Sequence, residues 1–183
     1  MKGKGICNTF MKNWTTMVPR ILQLAKTKNT VEVTKVLGLY PKNELEVSFD
    51  ICACAALEVL PYLIPVRKKK GVIPSHFLYY PQEDSVSLDA VLKESVNRPP
   101  FIIQIEDSFH VIVDNQVLVT SNSVSDALLN VFSSYYVFYI EYSKQVLKSL
   151  LFLQSEVFGL KDDCSINCPG LPLFVNTFNA VKL

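Results

Sequence analysis

The apolar residues of this chain change their spacing at one place, the run Arg67, Lys68, Lys69, Lys70 and Gly71, its only dense block of charge. Upstream, between Asn13 and Gly38, Trp14, Met17, Val18, Ile21, Leu22 and Leu24 recur at intervals of three and four, the stripe of an amphipathic helix. Pro19 within it marks a first turn or a kink. Asp50 to Leu60 is almost continuously apolar apart from Glu58, with Pro41 before it and Pro61 and Pro65 after it, which predicts a buried helix ending near Tyr62. Downstream, Phe77 to Tyr80 and Phe101 to Ile105 are short runs rich in aromatic and β-branched residues and bounded by prolines, the signature of strands.

The strand character continues over Phe109 to Val113 and Val117 to Thr120, with Asp114, Asn115 and Gln116 between them. Asp and Asn tolerate positive φ, so a β-hairpin is predicted. Ser87 to Val96 offers a serine cap followed by Leu88, Val91 and Leu92 on one face, a short crossover helix closed by Arg98, Pro99 and Pro100. Ser123 or Ser125 caps a further helix with Val124, Leu128, Leu129, Phe132 and Tyr136 on its apolar face. Another helix begins at Ser143, presents Val146, Leu147, Leu150, Leu151, Leu153 and Val157, and stops at Gly159, and Asp162 to Gly170 reads as a loop. The expected fold class is α+β, with N-terminal helices packed with a small mixed or antiparallel sheet and two C-terminal helices. All 183 residues are assigned to one domain, comprising a helical half over about 10–65, a basic turn at 67–71 and a strand-and-helix half over about 75–183.

Eighteen basic residues nearly cancel seventeen acidic ones, so no long-range field draws polyanions to the chain and any nucleic-acid contact has to be local. No apolar run approaches the roughly 20 residues a membrane helix needs. The most hydrophobic stretch, Val131 to Ile140, is about half that length and is expected to be core. The opening MKGKGICNTFMKNW lacks the apolar region and cleavage site of a secretory signal, which predicts a chain that stays inside the cell. Five cysteines, an odd number, with Cys52 and Cys54 in the buried run ICACAAL, predict free thiols.

The residue types that carry chemistry are thinly supplied. Only His76 and His110 could serve as a general base. His110 falls within a strand and His76 just before one, neither beside a nucleophile motif. Cys164 and Cys168 form one C-x3-C pair with no second pair to complete a zinc site. Glu83 with Asp84, and Asp162 with Asp163, are sequence neighbours of the kind that decorate loops and caps. The only clustered glycines, Gly3 and Gly5, lie at a start expected to be unstructured. No catalytic residue, cofactor or metal is predicted. Arg67, Lys68, Lys69 and Lys70 read first as a solubilising loop, and otherwise as a local phosphate contact or a nuclear address.

Several segments carry a likeness in order as well as composition. Val111 to Leu118 follows the hairpin pattern vvvD.q.l, Tyr136 to Tyr142 follows YVFni.Y, and Lys144, Phe152 and Gln154 follow a K and then F.Q....l. Earlier in the chain, Trp14, Ile21 to Lys26, and ALEVLPYLIP followed by RKKK match a tryptophan-containing helix, an ilqlAk run and an lllvhlLPp helix before a basic turn. On these residues, which cover nearly the whole chain, it resembles the C-terminal module of a large uncharacterised protein family greatly expanded in fish genomes. Longer relatives often carry zinc fingers of the two-cysteine, two-histidine type in front, and the resemblance implies a mobile-element origin. It brings no established activity with it. The chain departs from the family pattern in having Ser143 where relatives place proline, and it has no zinc finger of its own.

Aromatic crowding in NVFSSYYVFYIEY is its most unusual feature, because Phe132, Tyr135, Tyr136, Phe138, Tyr139 and Tyr142 cannot all point inward from one helix end. The bland account buries the segment on both faces with its hydroxyls bonded at the rim. The functional account makes Tyr135, Tyr136, Phe138, Tyr139 and Tyr142 a contact surface for a protein partner or for self-association. The expected function is thus a non-enzymatic interaction module with no membrane partner. The alternative is a nucleic-acid accessory module using Arg67 to Lys70, and an enzyme with an unrecognised site ranks third.

Overall fold

The computed structural model of the chain describes residues 3–28, 30–41, 47–64, 76, 78–81, 87–162 and 167–181. The fold is α+β, with seven α-helices and a four-stranded mixed sheet among these residues. The chain divides into two compact units, Met1–Val72 with Leu147–Leu183, and Ile73–Val146.

In the first unit, α1 spans Gly3–Lys28, α2 Val31–Leu37 and α3 Phe49–Leu63. Phe10, Trp14, Val18, Ile21, Leu24 and Ala25 of α1 are buried, the three-and-four spacing of a core-facing stripe. Helix α1 begins ten residues before the expected start at Asn13, so Gly3 and Gly5 belong to its first turns and not to an unstructured end. Nor does it run on to Gly38. Thr30 adopts an extended conformation (φ −79°, ψ 158°) and its hydroxyl accepts from the Val33 amide, which starts α2 as a separate helix. Pro19 lies inside α1 and Pro61 inside the last turn of α3, where the missing N–H costs one bond without ending the helix. Residues 53 to 61 of α3 are all buried, Glu58 included, whose carboxylate accepts the Tyr40 hydroxyl at 2.7 Å.

Of the two C-terminal helices expected alongside the strands, the one predicted from Ser143 belongs to this first unit. Leu147–Phe152 (α6) continues into a π-helical turn over Leu153–Val157, and Gly159 at φ 69° ends it. The Asn13 side chain donates to the Val157 carbonyl at 3.0 Å, and the Phe10 and Phe158 rings stack at 4.7 Å. A last helix, α7 over Leu171–Asn179, was not expected. Its buried Leu171, Phe174 and Phe178 sit at three- and four-residue intervals, and Phe174 and Phe178 meet Phe152 edge-on at 5.3 and 5.1 Å.

In the second unit the strands are β1 Tyr79–Tyr80, β2 Phe101–Ile105, β3 Ser108–Val113 and β4 Gln116–Ser121, in that spatial order. β1 pairs with β2 in parallel through the crossover helix α4 (Leu88–Glu94), capped by Ser87 as expected. The other pairings are antiparallel. Asp114 and Asn115 take φ 49° and 60°, the two left-handed residues of a tight hairpin. Val91 of α4 packs with Phe101, Ile103 and Ile112 on one face of the sheet. By strand alternation Ile102 and Val111 point the other way, and they are fully buried where α5 (Val124–Val137) packs on β2, β3 and β4. Among the described residues no helix is long and apolar enough to cross a membrane.

Candidate functional site

Helix α5 starts where the Ser123 hydroxyl accepts from the Ser125 amide at 3.2 Å. Its buried residues Val124, Ala127, Leu128, Val131, Phe132 and Tyr135 form one continuous stripe. The expected apolar face held Tyr136 in place of Tyr135, and the structure reverses them. Tyr135 is 3 % exposed, its hydroxyl donates to the Pro100 carbonyl at 3.1 Å, and burial raises its phenol above the usual range. Tyr135 therefore drops out of the candidate contact surface. Tyr136 lies one residue further around the helix, off the stripe, and is 49 % exposed.

The end of α5 sets the rest of the surface. The Phe138 amide donates to the Ser134 carbonyl at 3.0 Å and the Ile140 amide to the Tyr135 carbonyl at 2.9 Å, with Tyr139 between them at φ 53°. The bond spanning five residues and the left-handed residue inside it are the marks of a Schellman termination, in which the left-handed position ordinarily holds glycine. A side chain there costs about 1–2 kcal/mol because its Cβ crowds the following carbonyl. This chain places a tyrosine at that position and leaves it 94 % exposed. Val137 and Phe138 beside it are also exposed. Tyr142 folds back beneath, half-buried, edge-on to Tyr135 at 5.0 Å, and its hydroxyl donates to that of Tyr136 at 3.4 Å. Phe132 supports Tyr136 from below with ring centroids 5.2 Å apart. The result is an aromatic shelf with Tyr136, Phe138 and Tyr139 outermost and Phe132, Tyr135 and Tyr142 as its base.

Beside the shelf, a concavity of about 550 Å³ is lined by Pro99, Pro100, Val117, Leu118, Phe138 and Ile140, together with Arg98 and polar residues of the hairpin. The Arg98 guanidinium donates to the His76 carbonyl and lies over the Phe101 ring at 4.0 Å, so its charge is held by structure. Burial lowers its pKa, opposed by Tyr80 and Glu94. In the first unit a larger apolar groove, about 760 Å³, runs between α1, α2 and α3 past Val18, Leu22, Val33, Leu37, Cys52 and Ala55.

Arg67, Lys68, Lys69 and Lys70 lie outside the described residues, as do Cys164, Glu83, Asp84 and Asp163. Cys168 is buried, and Cys7, Cys52 and Cys168 are free thiols. His110 Nδ1 lies 2.9 Å from the Thr120 hydroxyl across the β3–β4 pair, and the His76 ring packs on Tyr80 at 4.3 Å. Among the described residues no three His, Cys, Asp or Glu side chains come together in a metal-holding group. Val137 and Leu118, absent from the expected surface, belong to it. Val137 carried a signal in its position at the helix end. Leu118 had none, because its exposure belongs to a strand at the end of the sheet whose residues are all exposed or half-buried.

Compared with protein-family models, with characterised proteins and with solved structures, the chain matches none.

Proposed function

We propose that this chain is a non-enzymatic protein-interaction module whose contact surface is the aromatic shelf at the end of α5. The observation that carries this is Tyr139, a large side chain held at 94 % exposure in a left-handed backbone position that favours glycine. Folding alone gains little from an aromatic ring almost wholly in water, whereas tyrosine at a protein contact brings large area at low entropy cost. Tyr136 and Phe138 flank it with half their surface exposed, and the Phe132 ring packs against that of Tyr136. Glu141 and Lys144, which follow the shelf in sequence, are exposed and of opposite sign, which suits a protein surface better than a polyanion. The two histidines are engaged in a strand-to-strand contact and a ring contact, consistent with a structural role. The family resemblance extends the proposal to a mobile-element-derived, intracellular and nuclear protein.

The test places a photo-crosslinking phenylalanine analogue at Tyr136 in the full chain expressed in cells. A discrete protein adduct, competed away by excess wild-type chain and not by a Tyr139→Gly chain, is the expected result. An adduct to nucleic acid that fades as salt rises would move the assignment to the accessory-module reading. No adduct above that of a crosslinker at exposed Thr15 would remove the shelf as a contact surface.

A further inference from the structure

The sheet has two ends. β1 is two residues long, too short to template another strand. At the other end β4 has six residues, Gln116–Ser121, and among the described residues β3 is its only strand neighbour. Its side chains are exposed or half-buried throughout, on both faces of the sheet. Natural proteins blunt such edges with lysine, proline, a bulge or a covering element. β4 contains no charge and no proline, and among the described residues its one such device is a bulge near the turn. Val111 faces Val119 and Ile112 faces Val117, which leaves Leu118 without a partner and 47 % exposed. Beyond the bulge, Val119, Thr120 and Ser121 stay in regular register with Val111, His110 and Phe109.

We infer that the β4 edge pairs with β4 of a second copy of this chain, antiparallel about a twofold axis, joining two four-stranded sheets. The inference rests on the interaction-module reading and adds to the shelf a second, edge-to-edge contact. An edge of backbone donors and acceptors is satisfied by another extended strand. A second copy suits this edge because like charges directly opposite each other destabilise a pair, and the twofold image of β4 brings none. A twofold axis at Thr120, the exposed centre of the regular stretch, sets threonine against threonine, one of the favourable cross-strand pairs. Leu118 and Phe138 line the concavity beside the edge and supply apolar surface for such a contact to cover.

The test is mass by light scattering on the full chain across a wide concentration range, for wild type, Thr120→Lys, Leu118→Lys and Tyr136→Ser. On the twofold axis Thr120→Lys sets a lysine against its own image, and Leu118→Lys puts a charge into the apolar surface the contact covers, so edge pairing predicts a wild-type dimer whose dissociation midpoint rises about tenfold or more in Thr120→Lys and rises also in Leu118→Lys. Tyr136→Ser should dimerise as wild type does. Leu118→Lys guards against misfolding of Thr120→Lys, since its site has no cross-strand partner to lose. A wild type that stays monomeric overturns edge pairing and leaves the shelf to the crosslinking competition. A dimer lost in Tyr136→Ser and kept in both lysine variants overturns it in favour of the shelf.

Discussion

The Ile140 amide donates to the Tyr135 carbonyl at 2.9 Å, and this bond holds the intervening Tyr139 in the left-handed region at φ 53°. The backbone at that point is built for glycine, so the side chain is carried at a cost. Replacing Tyr139 with glycine should raise the unfolding free energy by about 1 kcal/mol, the relief of crowding less the extra freedom glycine gives the unfolded chain. Urea unfolding followed by circular dichroism measures this. A loss of stability would mean that Tyr139 packs on the fold and is not held out for a partner.

Tyr135 and Tyr136 are sequence neighbours with opposite fates, which yields a paired prediction. Tyr135→Phe keeps the buried ring but leaves the Pro100 carbonyl without its donor, at a cost of about 1 kcal/mol. Tyr136→Phe keeps the ring on Phe132, loses only an exposed hydroxyl and should change stability by less than about 0.5 kcal/mol. Denaturation midpoints for the two variants, measured side by side, separate the base of the shelf from its outer surface.

Glu58 makes the first unit pH-sensitive. Burial raises its carboxyl above the ordinary 4.5, opposed by the hydrogen bond from Tyr40. The folded chain therefore keeps this proton to higher pH than the unfolded chain does. Stability from this group is complete below 4.5 and declines as pH rises through the raised folded value. Glu58→Gln retains an acceptor for Tyr40 and has no proton to lose. Its urea midpoint should exceed that of wild type at neutral pH, and the gap should close as pH falls toward 4.5. Parallel curves for the two proteins across that window would show that Glu58 is solvated in the folded state.

Local chemistry written in consecutive residues was legible in advance. The Ser87 cap, the Asp114–Asn115 turn, the strand Phe101–Ile105 and the Gly159 stop each depend on a few neighbouring side chains, and each stands where it was expected. Long-range choices were not legible. Whether Tyr135 or Tyr136 faces inward depends on where the Pro100 carbonyl lies, 35 residues away in sequence. The break between α1 and α2 depends on Thr30 winning as a cap over a periodicity that continues past it. Helix α7 was hidden because its three buried residues find their meaning only against Phe152. The exposure of Leu118 goes with the place of β4 at the end of the sheet, a matter of strand order that no single-strand pattern records.

The central claim is that the shelf, and Tyr139 above all, meets a protein. The competition curve of unlabelled Tyr139→Gly chain against the photo-crosslinked adduct at Tyr136, compared with that of wild type, tests it most directly. If Tyr139 is held out for a partner, the glycine variant competes at least about tenfold less well than wild type, a loss of roughly 1.4 kcal/mol of binding, while folding no less stably. Equal competition by the two chains would contradict the claim and make Tyr139 an exposed residue without a partner.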